Sequence, residues 1–99
     1  MLVHTVLFWL KNDLSDEERN GFEKELRALH AIPSVDQLHV GRPASTTKRP
    51  VIDDTYDFCL TVLLCDVAAH DQYQEDPLHL EFIQKCSHLW ERVKIYDAV

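Results

Sequence analysis

The chain has only two glycines, Gly21 and Gly41, among its 99 residues. Two isolated glycines do not build a backbone loop that cradles phosphate, and neither the G-x-G-x-x-G nor the P-loop pattern occurs. Its three cysteines, Cys59, Cys65 and Cys86, include no C-x-x-C pair, and their number is odd. That argues against a disulfide framework and against zinc-ligand spacing, so neither a metal site nor a cofactor is expected. All three lie in apolar stretches and are expected as buried thiols in a reducing compartment. Basic residues are also scarce: 10 Lys and Arg stand against 17 Asp and Glu, a net charge of -7. Nucleic acid and anionic membrane both select a basic footprint, so neither is an expected partner. The longest apolar run, Leu2 to Leu10, is too short to span a bilayer. It also has neither the basic flank nor the small-residue cleavage site of a signal peptide. It reads as a buried strand, and the protein as cytoplasmic. No H-E-x-x-H or G-x-S-x-G motif marks a metalloprotease or a serine hydrolase.

What the chain does have is a clear alternation of strand and helix patterns. Leu2 to Leu10 is rich in β-branched and aromatic residues and ends at the turn signal Lys11-Asn12-Asp13, which makes it the first strand. Ser15 and Glu18 form a capping box. Phe22, Leu26 and Leu29 recur at helical spacing, so a helix is predicted from about Asp16 to His30, stopped by Pro33. A second strand is predicted from Val35 to about Arg42, and a third from Tyr56 to Cys65. Between them, Pro43 to Asp54 is a loop and a candidate lid. Asp66 caps a short helix to about Glu75. Asp76-Pro77 then opens a further helix, with Asp at the N-cap and Pro at the first helical position, running to about Trp90. Arg92 to Asp97 forms the last strand. The order β-α-β-β-α-β predicts one α+β domain over residues 1–99, a ferredoxin-like unit with a split second helix.

Such a unit covers one face of its sheet with helices. The first and third strands are apolar on both faces, and no chain remains to cover the second. An uncovered apolar face of several hundred Å² is unusual on a monomer. A two-fold homodimer that buries it is therefore expected, giving a dimeric α+β barrel. The competing expectation is a monomer whose outer face is wetted by Thr5, Asp57, Thr61 and Lys94.

Three residues stand out for chemistry. His4 shares one face of the first strand with Val6, Phe8 and Leu10. His79 is the third residue of the last helix and lies on a stripe with Phe82, Ile83, Cys86 and Trp90, so it should point inward. The positive end of the helix dipole disfavours its protonation, leaving a neutral imidazole suited to a general base. Tyr73, just before the helix break, is placed to close the same pocket and to hold or polarise a carbonyl. Each also has an ordinary reading: a hydrogen-bonded core histidine, or a tyrosine packed at a helix end. Among the other histidines, His88 is expected on a polar face and His30 at a helix C-terminus. The face of His39 is open, and His70 has no evident partner.

The chain resembles the stress-responsive A/B-barrel (Dabb) family over nearly its whole length. The resemblance is carried by His4-Thr5-Val6-Leu7-Phe8, Ile32-Pro33, Tyr56-Asp57-Phe58, Tyr73-Gln74-Glu75-Asp76-Pro77-Leu78-His79 and Trp90-Glu91-Arg92-Val93. It implies a ferredoxin-like protomer and a dimeric barrel. Most members have no assigned activity. A plant polyketide cyclase of the family closes an aromatic ring by aldol chemistry, and its base matches His79. A tyrosine matching Tyr73 and a histidine matching His4 line the same pocket. This chain departs from the pattern at Asp76, where the family usually has His, and at Phe58, where the cyclase carries another pocket histidine. Three functions remain open: an enzyme acting on a small carbonyl compound, a non-catalytic dimer that binds a small apolar ligand or has a structural, stress-linked role, and, as the weakest, haem or metal binding as in related dimeric barrels.

Overall fold

A computed structural model describes residues 1–99. Four strands, β1 (Leu2–Leu10), β2 (Val35–Gly41), β3 (Phe58–Leu64) and β4 (Trp90–Ala98), form one sheet in the order β2-β3-β1-β4. All three pairings are antiparallel. Helix α1 (Asp16–Ala28) links β1 to β2, while α2 (Val67–Glu75) and α3 (Pro77–Cys86) link β3 to β4. This is the expected ferredoxin-like α+β arrangement. No helix is long and apolar enough to cross a membrane.

Local chemistry accounts for the helix boundaries. Ser15 Oγ accepts from the Glu18 N–H at 3.1 Å, and Glu18 Oε1 accepts from the Ser15 N–H at 3.0 Å, which satisfies two otherwise free donors of α1. Asp66 accepts from the Ala69 N–H at 2.8 Å to start α2. Asp76 accepts from the Leu78 N–H at 2.8 Å to start α3, with Pro77 in the first position. Helix α1 runs into a 3₁₀ turn at Leu29–Ala31. The last helix is shorter than its apolar stripe predicts. It ends at Cys86, a 3₁₀ turn follows at Ser87–Leu89, and Trp90 begins β4 instead of ending the helix. Trp90 still packs against the core, so the helical spacing was met by a residue already in a strand.

Alternation along the strands sorts their side chains. Leu2, His4, Val6 and Phe8 of β1, with Phe58, Leu60, Val62 and Leu64 of β3, are buried beneath the helices. Phe22 and Leu26 of α1 and Phe82 and Cys86 of α3 close over them. Phe8 meets Phe22 edge-on at 5.2 Å between ring centroids and lies 5.2 Å from Trp90, an aromatic centre that also includes Phe58 and Phe82. The opposite face carries Val3, Thr5, Leu7, Cys59, Thr61 and Leu63, all only partly buried. The Cα trace is 17 Å across its thinnest direction, enough for one sheet and one helical layer.

Several expectations change here. Asp57 does not wet the outer face. Its carboxylate accepts from the Leu10 N–H at 2.7 Å and from Arg19 at 3.0 Å, tying the end of β1 to α1. No residue of the loop 43–54, the candidate lid, lines the helix-side cavity. Thr55, just after it, accepts from Trp9 Nε1 at 2.9 Å, and Arg92 lies over the Trp9 ring at 4.3 Å, which draws this segment to the end of the sheet away from His4. Of the cysteines, only Cys86 is buried: Cys59 lies on the outer face and Cys65, just past β3, is exposed.

Replacing Leu26, which is fully buried, by Ala is expected to cost about 2–5 kcal/mol. Asp57→Ala, which strands a backbone donor and an arginine, should cost about 1–3 kcal/mol. Urea denaturation of the two variants measures both, and an Asp57→Ala chain as stable as the parent would refute the tie between β1 and α1.

Candidate functional site

The gap between α2, α3 and the β1–β4 side of the sheet forms a cavity of about 90 Å³. His4, Val6 and Phe8 of β1, Val93 and Ile95 of β4, and Tyr73, Gln74, His79, Phe82 and Ile83 of the helices line it together with Leu60 and Trp90. Nine of these twelve residues are hydrophobic, so the few polar groups present are conspicuous. Ile95, half exposed, and Ile83, at 39% exposure, mark where the cavity reaches solvent. Ile83 is thus on the rim and not in the buried stripe predicted for it.

The structure brings all three predicted site residues together. Tyr73 is fully buried and lies between the other two rings, 5.7 Å from His4 and 4.8 Å from His79 between centroids. The break at Asp76 makes this possible: it turns the chain between Tyr73, near the end of α2, and His79, in the first turn of α3. Only three buried side-chain polar atoms lack a hydrogen-bond partner, and two of them are the Tyr73 hydroxyl and His79 Nδ1; the third is Ser34 Oγ. Burial pushes the Tyr73 hydroxyl well above the usual phenolic range, so it stays protonated and able to donate. Burial also lowers the pKa of His79, against the opposing pull of the nearby Gln74 backbone, which is not close enough to form a hydrogen bond, and the His4 ring lowers it further. The expected direction holds, but its main cause is loss of solvent. The N-cap carboxylate of Asp76 works in the opposite sense.

Two residues of this region were not picked out from sequence. Asp97 of β4 sits opposite His4 in the strand register, and its Oδ1 is 2.5 Å from His4 Nδ1. His70 of α2 has partners after all. Its ring lies edge-on to His4 at 5.1 Å, and its Nδ1 is 3.2 Å from Asp71 Oδ1. No sequence pattern gives the first contact, because it depends on how β4 aligns with β1. The remaining histidines, His30, His39 and His88, are exposed. Phe58 belongs to the aromatic core and not to this cavity.

A larger depression, about 480 Å³, lies between α1 and the start of β3 and is lined by Asp16, Arg19, Asn20, Arg42, Asp57 and Phe58. Its cations are already paired, Arg19 with Asp57 and Arg42 with Glu23, so it offers little unspent binding chemistry. The cavity at His79 is smaller, but two of its polar atoms, Tyr73 Oη and His79 Nδ1, have no partner.

The model of the stress responsive A/B barrel domain family matches residues 2–99. A comparison with curated protein sequences gives no match. Solved structures do match. A Dabb family protein with a ferredoxin-like fold from Mesorhizobium loti is 28% identical, with a TM-score of 0.81 over 99% of this chain and 94% of that one. A dimeric ferredoxin-like protein of unknown function from Thermobifida fusca is 17% identical, with a TM-score of 0.80 over 99% and 89%. The hydroxynitrile lyase of Passiflora edulis is 18% identical, with a TM-score of 0.80 over 98% and 90%.

The lowered pKa of His79 has a consequence for stability. The unfolded chain protonates this ring near its ordinary value of 6.5, while the folded chain does so only at lower pH. Stability tied to His79 is therefore complete above about pH 6.5 and declines as pH falls through the folded value. Urea midpoints measured from neutral pH downward should fall more steeply for the native chain than for His79→Gln. Equal slopes would contradict the burial of a neutral ring.

Proposed function

Because the chain belongs to the stress responsive A/B barrel domain family, we propose that it binds a small carbonyl or apolar compound in the cavity between sheet and helices. His79 is the general base of this reading, and Tyr73 and His4 position the substrate. The observation that carries it is the pair of buried, unpartnered polar atoms, Tyr73 Oη and His79 Nδ1, in an otherwise apolar cavity. A neutral imidazole can take a proton from carbon next to a carbonyl, and a protonated phenol can donate to the carbonyl oxygen as negative charge develops there. The hydroxynitrile lyase among the structural neighbours supports the reading at the level of fold: a scaffold of this shape accommodates lyase chemistry in another protein. As an enzyme, the chain would carry out polyketide-cyclase-like chemistry, or that of a lyase or isomerase, with His79 as general base. An apolar cavity of about 150 Å³ holds benzene, so 90 Å³ suits a small group whose remainder extends through the open side.

The reading includes a homodimer. Val3, Leu7, Cys59 and Leu63 form the middle of the helix-free face, with Thr5 and Thr61 between them, and a second sheet of the same kind is the simplest way to shield them from water. The dimeric Thermobifida fusca protein of the same fold supports this pairing. The three free cysteines are in keeping with a reducing, cytoplasmic setting.

Deuterium exchange next to the carbonyl of β-keto acids and thioesters, followed by NMR, tests the chemistry. His79→Ala should slow exchange by about 10²–10⁴-fold without loss of the fold. A full-rate variant would rule His79 out as base. If the native chain stabilises thermally with such compounds but never exchanges, the non-catalytic binding reading stands. For the dimer, sedimentation should give twice the protomer mass, and Leu7→Asp with Leu63→Asp should give single copies. A native chain that sediments as one copy at micromolar concentration would refute it.

A further inference from the structure

Beside the cavity, three side chains of metal-ligand type meet from three elements: His4 on β1, His70 on α2 and Asp97 on β4. One donor atom of each lies within 4.8 Å of the others. His4 Nδ1 is 2.5 Å from Asp97 Oδ1, and His70 Nε2 is 3.8 Å from Asp97 Oδ2. The side chains of His4, His70 and Asp97 are 2%, 19% and 40% exposed, so the cluster is anchored in the core and open at its outer end.

The orientation of His70 is fixed independently. Its Nδ1 donates to Asp71 Oδ1 at 3.2 Å, which leaves Nε2 as the lone-pair nitrogen facing Asp97. A carboxylate behind a ligating imidazole is the usual device for setting the tautomer in metal sites.

We propose that His4, His70 and Asp97 bind a divalent transition-metal ion of the zinc type, leaving at least one coordination position open. Zinc takes histidine nitrogen and carboxylate oxygen at about 2.0–2.2 Å, so neighbouring ligand atoms of a tetrahedral ion stand about 3.3 Å apart. The two rings stand 2.5 and 3.8 Å from different oxygens of the Asp97 carboxylate, Oδ1 and Oδ2, and one donor atom of each residue lies within 4.8 Å of the others. Asp97 is near the end of the last strand and its side chain is 40% exposed, so its carboxylate has room to turn toward an ion held by both rings. Two imidazoles and one carboxylate suit zinc, cobalt or nickel, whereas magnesium and calcium prefer oxygen-only sets.

Occupancy would change what His4 offers the cavity. Without metal, Asp97 accepts the proton on Nδ1, and Nε2 keeps its lone pair. With metal on Nδ1, the proton resides on Nε2, which becomes a donor able to hold a carbonyl oxygen. The binding site stands without the proposed carbonyl chemistry; only this effect on His4 rests on it.

Calorimetric titration of the chelator-treated protein with Zn²⁺, and visible absorption with Co²⁺, test the site. One ion per chain at micromolar affinity or better is expected. His70→Ala and Asp97→Asn, both reachable from solvent, should weaken binding by more than about tenfold while circular dichroism reports an intact fold. The exposed control His39→Ala should leave binding unchanged. His79→Ala should also bind the ion normally even as it loses exchange activity, which separates this inference from the proposed base. Absence of binding overturns the proposal, as does binding that survives both ligand substitutions.

Discussion

A buried hydroxyl or imidazole nitrogen with no partner costs about 1–3 kcal/mol, and this small domain holds two of them in one cavity, at Tyr73 and His79. For a domain whose whole stability is expected to be on the order of 5–15 kcal/mol, that is a large fraction. The rest of the molecule is arranged so that it can be tolerated. The aromatic centre of Phe8, Phe22, Phe58, Phe82 and Trp90 lies toward the far end of β1 from His4 and supplies dense apolar packing. The helix break at Asp76 sets the two polar groups facing each other. A continuous helix from Asp66 to Cys86 would carry Tyr73 and His79 on different faces, six residues and about 600° of helical rotation apart.

The same geometry explains why the cavity opens where it does. Three helical segments cannot cover four strands completely, and the shortfall falls on β4, leaving Ile95 half exposed beside the cavity. On the other side of the sheet no helix lies at all. The segment around Thr55 reaches across to Trp9 and covers only one end. The fold thus has a partial opening on its helical side and, on the other, a helix-free face on which Val3, Leu7 and Leu63 are only partly buried.

Much of this was legible in the sequence because it depends on neighbours along the chain. Capping at Ser15, Asp66 and Asp76, the element order, and the inward faces of β1 and α3 are all local, period-dependent features. They were enough to bring His4, Tyr73 and His79 to one place. Features that depend on strand register were hidden. Asp97 faces His4 only because β4 aligns with β1 at that offset, and His70 joins them only because α2 crosses above. Asp57, part of the family-like Tyr56-Asp57-Phe58 stretch, serves the end of β1 and Arg19, a role that no spacing along the chain reveals. The end of α3 was misplaced because Trp90 fits a helical stripe as well as it fits the inner face of a strand.

The most direct test of the account is the stability of Tyr73→Phe in urea. If the hydroxyl is held unpartnered for a ligand, its removal deletes a desolvation penalty and leaves the packing of the ring intact, so the variant should be as stable as the native chain or more so. A loss of more than about 1 kcal/mol would mean that the hydroxyl is bonded within the fold, and the cavity would then lose its main claim to be a binding site.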